Sequence, residues 1–263
     1  MLTQVTPIEY VRPMGSGRTK PLLLVCETPT GDSIDTVVKF SAGCDEGVSS
    51  LVREVVAACL AADLGLPIPV PVLVTTTPEW IATLADEDMA ARIRRSSRIA
   101  FGSTLVTGQY AAWATGNRLR AAAVPTAASI FVFDAIAQNP DRRTENPNCL
   151  VKGDEFIIFD HEMAFTHGLV IGWQPPWTLG GLNSFVTPGF HIFREPLRKR
   201  AIDFGRIRQA WTALSNERVE EYGAAVPAEW IGASDAVRRA LTLIRDARDN
   251  IDGCLAEVRR ILG

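Results

Sequence analysis

The chain has 263 residues, a formal net charge of −3, and 47% hydrophobic and 22% charged residues. That is an ordinary globular composition, long enough for one large domain or two small lobes around a cleft, and it excludes a disordered chain. A slightly acidic chain is not built to hold nucleic acid through bulk charge, because backbone binding needs many Lys and Arg on one face.

The five cysteines (Cys26, Cys44, Cys59, Cys149, Cys254) are widely spaced, odd in number and without a CxxC pair. Neither a disulfide framework nor a zinc site is expected from that pattern, and a reducing compartment is. No signal peptide is expected at the N-terminus, which lacks a charged start followed by an apolar stretch. No run of about 18 apolar residues predicts a membrane span. Cytoplasm is the expected location.

In chain order, Val5 to Val11 reads as a strand. Arg12 to Pro21 is a turn-rich, basic segment. Leu22 to Glu27 and Ile34 to Phe40 follow as strands across a Pro-Thr-Gly-Asp turn signal. Such short connections predict an antiparallel meander. Ser49 or Ser50 can cap a helix running to about Leu64, with Val52, Val55, Val56, Cys59 and Leu60 at helical spacing. Leu66 to Val74 is broken by proline and reads as an edge strand or a strand-entry segment. Leu84 to Arg95 reads as a polar helix and Ile99 to Val106 as another strand. Beyond Pro125 the pattern is mostly helical, interrupted by a hairpin of Cys149–Val151 and Glu155–Phe159. An apolar stripe from Val237 to Leu262 predicts one long last helix. The expected architecture is α+β and bilobal. Residues 1–105 form an antiparallel-sheet N-lobe with one helix, residues 106–263 a mostly helical C-lobe, and a cleft opens at the connector near residues 101–110.

Several polar residues interrupt this pattern in ways that suit phosphate chemistry. Lys39, in the run Val37-Val38-Lys39-Phe40, could bind the α- and β-phosphates of ATP, with Glu54 on the next helix orienting it. A snorkelling surface lysine and a solvated carboxylate are the plainer alternative. The turn Gly15-Ser16-Gly17-Arg18 could bring backbone N–H groups and a positive charge to phosphates, although no GxxxxGK[ST] loop is present. Six of the eight residues Asp141 to Asn148 are charged or carboxamide, yet they lie between an apolar helix and an apolar strand. Asp160 ends the next strand, 19 residues after Asp141. One hairpin thus brings two carboxylates and a carboxamide together, an oxygen-ligand set suited to Mg²⁺. In this reading Asp160 bridges metal and phosphates, Asn146 or Asn148 also holds the metal, and Asp141 accepts the proton of the attacking hydroxyl.

DRRTENPNCLV followed by IIFDHEMAF resembles the catalytic segments of HipA-like kinases and, more distantly, of type II phosphatidylinositol 4-kinases. The order of motifs is similar over residues 5–165 and specific over 139–165. The resemblance implies a protein-kinase-like fold, ATP and Mg²⁺, with Asp160 in place of the DFG aspartate. Counting five residues from the catalytic aspartate selects Asn146 as the metal ligand, whereas counting back from the following strand selects Asn148. His161-Glu162 replaces Phe-Gly, and no APE-like segment follows.

The expected function is transfer of the ATP γ-phosphoryl group to a hydroxyl, foremost of Ser or Thr in a protein. A small-molecule or lipid acceptor, or nucleotidyl transfer from the same pocket, are alternatives. A nucleotide-binding pseudokinase or antitoxin-type module is the non-enzymatic alternative, and a metal-assisted hydrolase a third class. A regulatory protein partner could complete the acceptor site.

Overall fold

The computed structural model describes residues 2–15 and 19–263. Strands β1 (Thr3–Pro13), β2 (Leu22–Glu27), β3 (Ser33–Lys39), β4 (Pro71–Thr75) and β5 (Ile99–Thr104) close into a barrel in the order β1-β2-β3-β5-β4. The antiparallel meander of the first three strands is present, and the expected antiparallel sheet is corrected to a closed barrel with one parallel pair. Four of the pairings are antiparallel, but β1 and β4 pair parallel, Thr3 to Val72 and Val5 to Val74, and this closes the barrel. Helix α1 (Val48–Asp63) supplies the long crossover that a parallel strand requires. β4 is therefore not an edge strand. Its prolines do not break the ladder because Pro67 and Pro69 precede it and Pro71 is its first residue.

Alternation along the strands decides what faces the barrel and what faces away. Leu22, Leu24, Cys26, Val38, Val72, Val74 and Ala100 fill the interior. Val37 and Lys39, on the other face of β3, line a cleft instead. Two helices, α2 (Pro78–Ala82) and α3 (Glu87–Arg94), cap this barrel core with Trp80, Ile81 and Ile93. Among the described residues the first part of the chain thus carries three α-helices, not one. Thr77 and Asp86 cap α2 and α3 with their side chains. Neither Ser49 nor Ser50 caps α1, which starts after Gly47 at φ 56°.

Helix α1 packs elsewhere. Leu51, Val52, Val55 and Val56 join a large second core with α4 (Val124–Ala137) and the C-terminal helices, and α1 lies against α7 (Asn216–Ala224) and α8 (Ser234–Asp249). A small sheet in the order β6-β7-β8 (Ala111–Ala112, Cys149–Lys152, Glu155–Ile158) adds Cys149, Phe156 and Ile158 to this second core and is joined to the segment before β4 by the Ile158 N–H donating to Pro67 O at 2.8 Å. Helices α5 (Arg194–Leu197) and α6 (Phe204–Thr212) precede α7. The long last helix is two helices, α8 and α9 (Ile251–Leu262), broken at Asn250, and the apolar stripe runs through both. No helix among the described residues is long and apolar enough to cross a membrane. All five cysteines are free.

Gly102 on β5 faces the barrel interior. A Cβ there would lie 2.7 Å from the Thr36 methyl and 2.8 Å from a Val74 methyl. Gly102→Ala should therefore destabilise the protein by roughly 1–3 kcal/mol through overpacking, seen as a lower urea midpoint with unchanged slope.

Candidate active site

Lys39 sits at the end of β3 with its side chain turned from the barrel into a cleft of about 830 Å³. It is only 8% exposed, so its ammonium needs protein partners. Nζ donates to Glu54 Oε1 at 2.5 Å, to Asp160 Oδ1 at 2.7 Å and to Glu162 Oε2 at 3.3 Å. Glu54 is brought there by α1, and its second oxygen accepts from the His161 backbone N–H at 3.0 Å. Arg53, its neighbour, is buried and donates to the Glu162 carbonyl at 2.8 Å while pairing with Glu46. Helix α1 thus grips the segment 160–162 from two positions.

The β7–β8 hairpin delivers the other residues. Both ends of it turn through left-handed backbone, Asn148 at φ 41° and Asp160 at φ 60°. Asn and Asp tolerate that region better than other side-chain-bearing residues. Asp141 projects into the same cleft from the loop after α4. Asn146 Nδ2 donates to Asp141 Oδ2 at 2.8 Å, and Asn148 Nδ2 donates to the same oxygen at 3.2 Å. The two carboxamides therefore act on one atom as a pair, with neither on Oδ1.

A buried network holds this loop. Asp134 and Arg142 are both without solvent exposure. Arg142 Nε donates to Asp134 Oδ2 at 2.6 Å, and its Nη2 to Oδ1 at 3.2 Å. Its Nη1 reaches the carbonyls of Asn148 and Phe159, one from each end of the hairpin. Asp134 also accepts from Asn139 at 2.8 Å and faces His191 Nε2 at 3.0 Å. Arg142 is therefore a structural clamp, whereas Arg143 lines the cleft.

The expected residues Lys39, Glu54, Asp141, Asn146, Asn148 and Asp160 all line this cleft. Gly15 is described and exposed, while Ser16, Gly17 and Arg18 lie outside the described residues. The stem of their loop is closed by the Met14 N–H donating to Pro21 O at 2.9 Å, and both of those residues line the cleft. Glu162, Arg53, Asp134 and His191 are additions to the expected set. Asp134 carried a readable signal, a lone carboxylate in the run Phe131-Val132-Phe133-Asp134-Ala135-Ile136. Glu162 carried none beyond its place two residues after Asp160.

Electrostatics follow from three carboxylates around one ammonium. Burial works against the Lys39 charge, but Glu54, Asp160 and Glu162 outweigh it and hold its pKa well above the usual lysine value. For Asp160 burial is likewise overcome by Lys39, so its pKa is lowered. Burial raises Glu54 and Glu162 despite Lys39, which makes them the easier carboxylates to protonate. Asp141 is raised, by burial first and by the charge of Asp160 second. Glu54, Asp160 and Glu162 offer oxygens within 4.8 Å of one another. These oxygens surround the Lys39 ammonium and carry more negative charge than it balances. Asp160, with the Asn146 and Asn148 carboxamides in the same cleft, offers an oxygen donor set that fits a hard divalent cation. Val37, Phe101, Leu150 and Phe159 add an apolar lining to the cleft, as a nucleobase would need.

Among solved structures the fold is similar to that of the Helicobacter pylori proinflammatory kinase CtkA. The two are 12% identical, with 100% of each chain covered and a TM-score of 0.52. No curated protein matches the chain. The model of the HipA-like kinase family matches residues 8–258, and the chain belongs to that family. Its activity class is accordingly that of a kinase-type phosphotransferase.

Asp134→Asn should leave Arg142 buried without a counter-charge and destabilise the protein by about 3–5 kcal/mol, measured by urea unfolding. A second expectation concerns pH. His161 accepts from Arg142 through Nδ1, and burial, then Arg142, lowers its pKa from 6.5 to about 3. A neutral buried imidazole contributes stability that is complete above pH 6.5 and is lost as pH falls from there toward about 3. The unfolding free energy should fall over that window, and His161→Gln should make the decline shallower.

Proposed function

We propose that the protein is an ATP- and Mg²⁺-dependent kinase that moves the γ-phosphoryl group to a Ser or Thr hydroxyl of a protein. The observation that carries this reading is the Lys39 ammonium held between Glu54 at 2.5 Å and Asp160 at 2.7 Å, in the cleft that Asp141 also lines. Residues 1–105 form the nucleotide-binding lobe and 106–263 the catalytic lobe. The adenine lies against Val37, Phe101 and Leu150. Gly15, Ser16, Gly17 and Arg18 are assigned a role in binding the phosphates.

Lys39 binds the α- and β-phosphates, exchanging Glu162, its longest contact, for phosphate oxygen. Glu54 keeps the ammonium in place during that exchange. Mg²⁺, held by Asp160 with Asn146 and Asn148, would neutralise charge on the phosphates. Asp141 accepts the proton as the acceptor oxygen bonds to the γ-phosphorus and the bond from that phosphorus to the β-phosphate oxygen breaks, leaving ADP. Its raised pKa makes it the stronger base, and the paired amides on Oδ2 hold its orientation. The free cysteines favour a reducing compartment, and we assign the protein to the cytoplasm.

The test is incubation with ATP labelled at the γ- or α-phosphate, Mg²⁺ and a protein extract. The γ label should move to protein and the transfer should stop when EDTA removes the metal. Lys39→Ala should lower transfer by about 10²–10³-fold. Asp141→Asn should lower it by about 10²-fold or more while nucleotide still binds. Movement of the α label would identify a nucleotidyl transferase, γ transfer to small molecules would reassign the acceptor, and full activity of Lys39→Ala would remove its role as phosphate anchor.

A further inference from the structure

A second cavity, of about 330 Å³, lies on the far side of the Asp141 loop. Pro140 lines it, whereas the next residue, Asp141, lines the larger cleft. Phe190 also lines it and carries the Arg143 guanidinium 6.0 Å over its ring, and Arg143 faces the larger cleft. The two cavities therefore share one wall, and that wall includes the residue proposed to take the acceptor's proton.

The lining has a definite chemistry. Among the described residues, no Asp, Glu, Lys or Arg lines it. Trp173, Phe185 and Phe190 give it aromatic surface. Gln138, Gln174 and Asn183 add carboxamides, of which Gln138 is engaged by Ala135 O and Trp173 Nε1, and Asn183 Oδ1 by Arg260. The His167 ring lies tilted against Trp173, with centroids 4.7 Å apart. A charged side chain entering here would lose water without gaining a counter-charge, whereas an apolar one would gain from burial.

The cavity is also built rather than incidental. A Cβ on Gly181 would lie 2.0 Å from Pro175 O, so the wall closes tightly on itself. Gly180, at φ 90°, donates its N–H to Glu257 Oε2 at 2.9 Å. Trp173 Nε1 donates to Gln138 Oε1 at 3.1 Å, which ties the wall to the end of α4 where the Asp141 loop begins. From the mouth runs a strip of consecutive aliphatic residues, Leu169, Val170 and Ile171, all exposed and Ile171 completely so. Contiguous exposed apolar surface of this kind marks an interaction site.

We propose that this cavity and the Leu169–Ile171 strip receive an apolar or aromatic side chain of an extended polypeptide acceptor, beside the hydroxyl residue presented to Asp141. The Gln174 carboxamide can answer an N–H or C=O group of a peptide main chain, and the aliphatic strip continues the contact beyond the cavity as a chain would. The proposal deepens the kinase reading and rests on it for the position of the hydroxyl.

The test is a peptide library with one Ser or Thr and each flanking position varied. It is read as kcat/KM with γ-labelled ATP and as binding from tryptophan emission. A large apolar residue at one flanking position should raise kcat/KM about tenfold or more over Ala, and Asp or Lys there should not. In Val170→Asp, an exposed substitution whose folding is checked by its unfolding midpoint, that ratio should collapse and Lys-flanked peptides should gain. Apolar peptides should change the emission of the parent protein and not that of Trp173→Phe. A preference for charged residues, an apolar preference untouched by Val170→Asp, or displacement of peptide by neutral small-molecule alcohols would overturn the proposal. If apolar peptides bind at Trp173 but no label moves, the cavity assignment stands and the kinase reading falls. If label moves without apolar selectivity, the cavity assignment alone falls.

Discussion

Asp134 and Arg142 lie in a region without water, and each is the other's main compensation for lost hydration. A buried charge whose partner is removed is far more costly than a buried pair, so the two are bound to one geometry. That geometry spreads outward. Arg142 holds the carbonyls at both ends of the β7–β8 hairpin, and Asp134 holds Asn139 and His191. The positions of Asp141 and Asp160 thus descend from one ion pair that never touches the cleft.

The second organising feature is an imbalance of charge. Lys39 meets three carboxylates, each delivered by the chain with its own constraint. Glu54 is fixed by α1 and by the His161 N–H, and Asp160 by a left-handed turn. Glu162 hangs from a carbonyl that Arg53 grips. Three carboxylates around a single ammonium leave the site with surplus negative charge, which a cation would offset.

Much of this was legible from residue order. The β-branched run Ile34 to Phe40 marked β3, and an apolar strand ending in Asp160 marked the hairpin. The polar stretch Asp141 to Asn148 between apolar elements marked the loop. What could not be read was set by tertiary packing. Barrel closure depends on the parallel pairing of β1 with β4, which are about 60 residues apart, and local periodicity is blind to such pairing. The break at Asn250 lies within one continuous apolar stripe, because both helices bury the same kind of face. Whether an arginine is a clamp or a ligand depends on burial, so Arg142 and Arg143 look alike in sequence and differ completely in place. Glu162 joins Lys39 only because the Asp160 turn redirects the chain.

Helix α1 belongs by sequence to the barrel and by packing to helices that come last. During synthesis its apolar face is complete well over a hundred residues before α8 exists to cover it. At ordinary elongation rates that interval is on the order of ten to thirty seconds. Over that interval the Leu51-Val52-Val55-Val56 face has β5 beside it and lacks the cover that α7 and α8 supply. The carboxylate that steadies Lys39 rides on this helix, so its seat is shared between the barrel and helices made long after it.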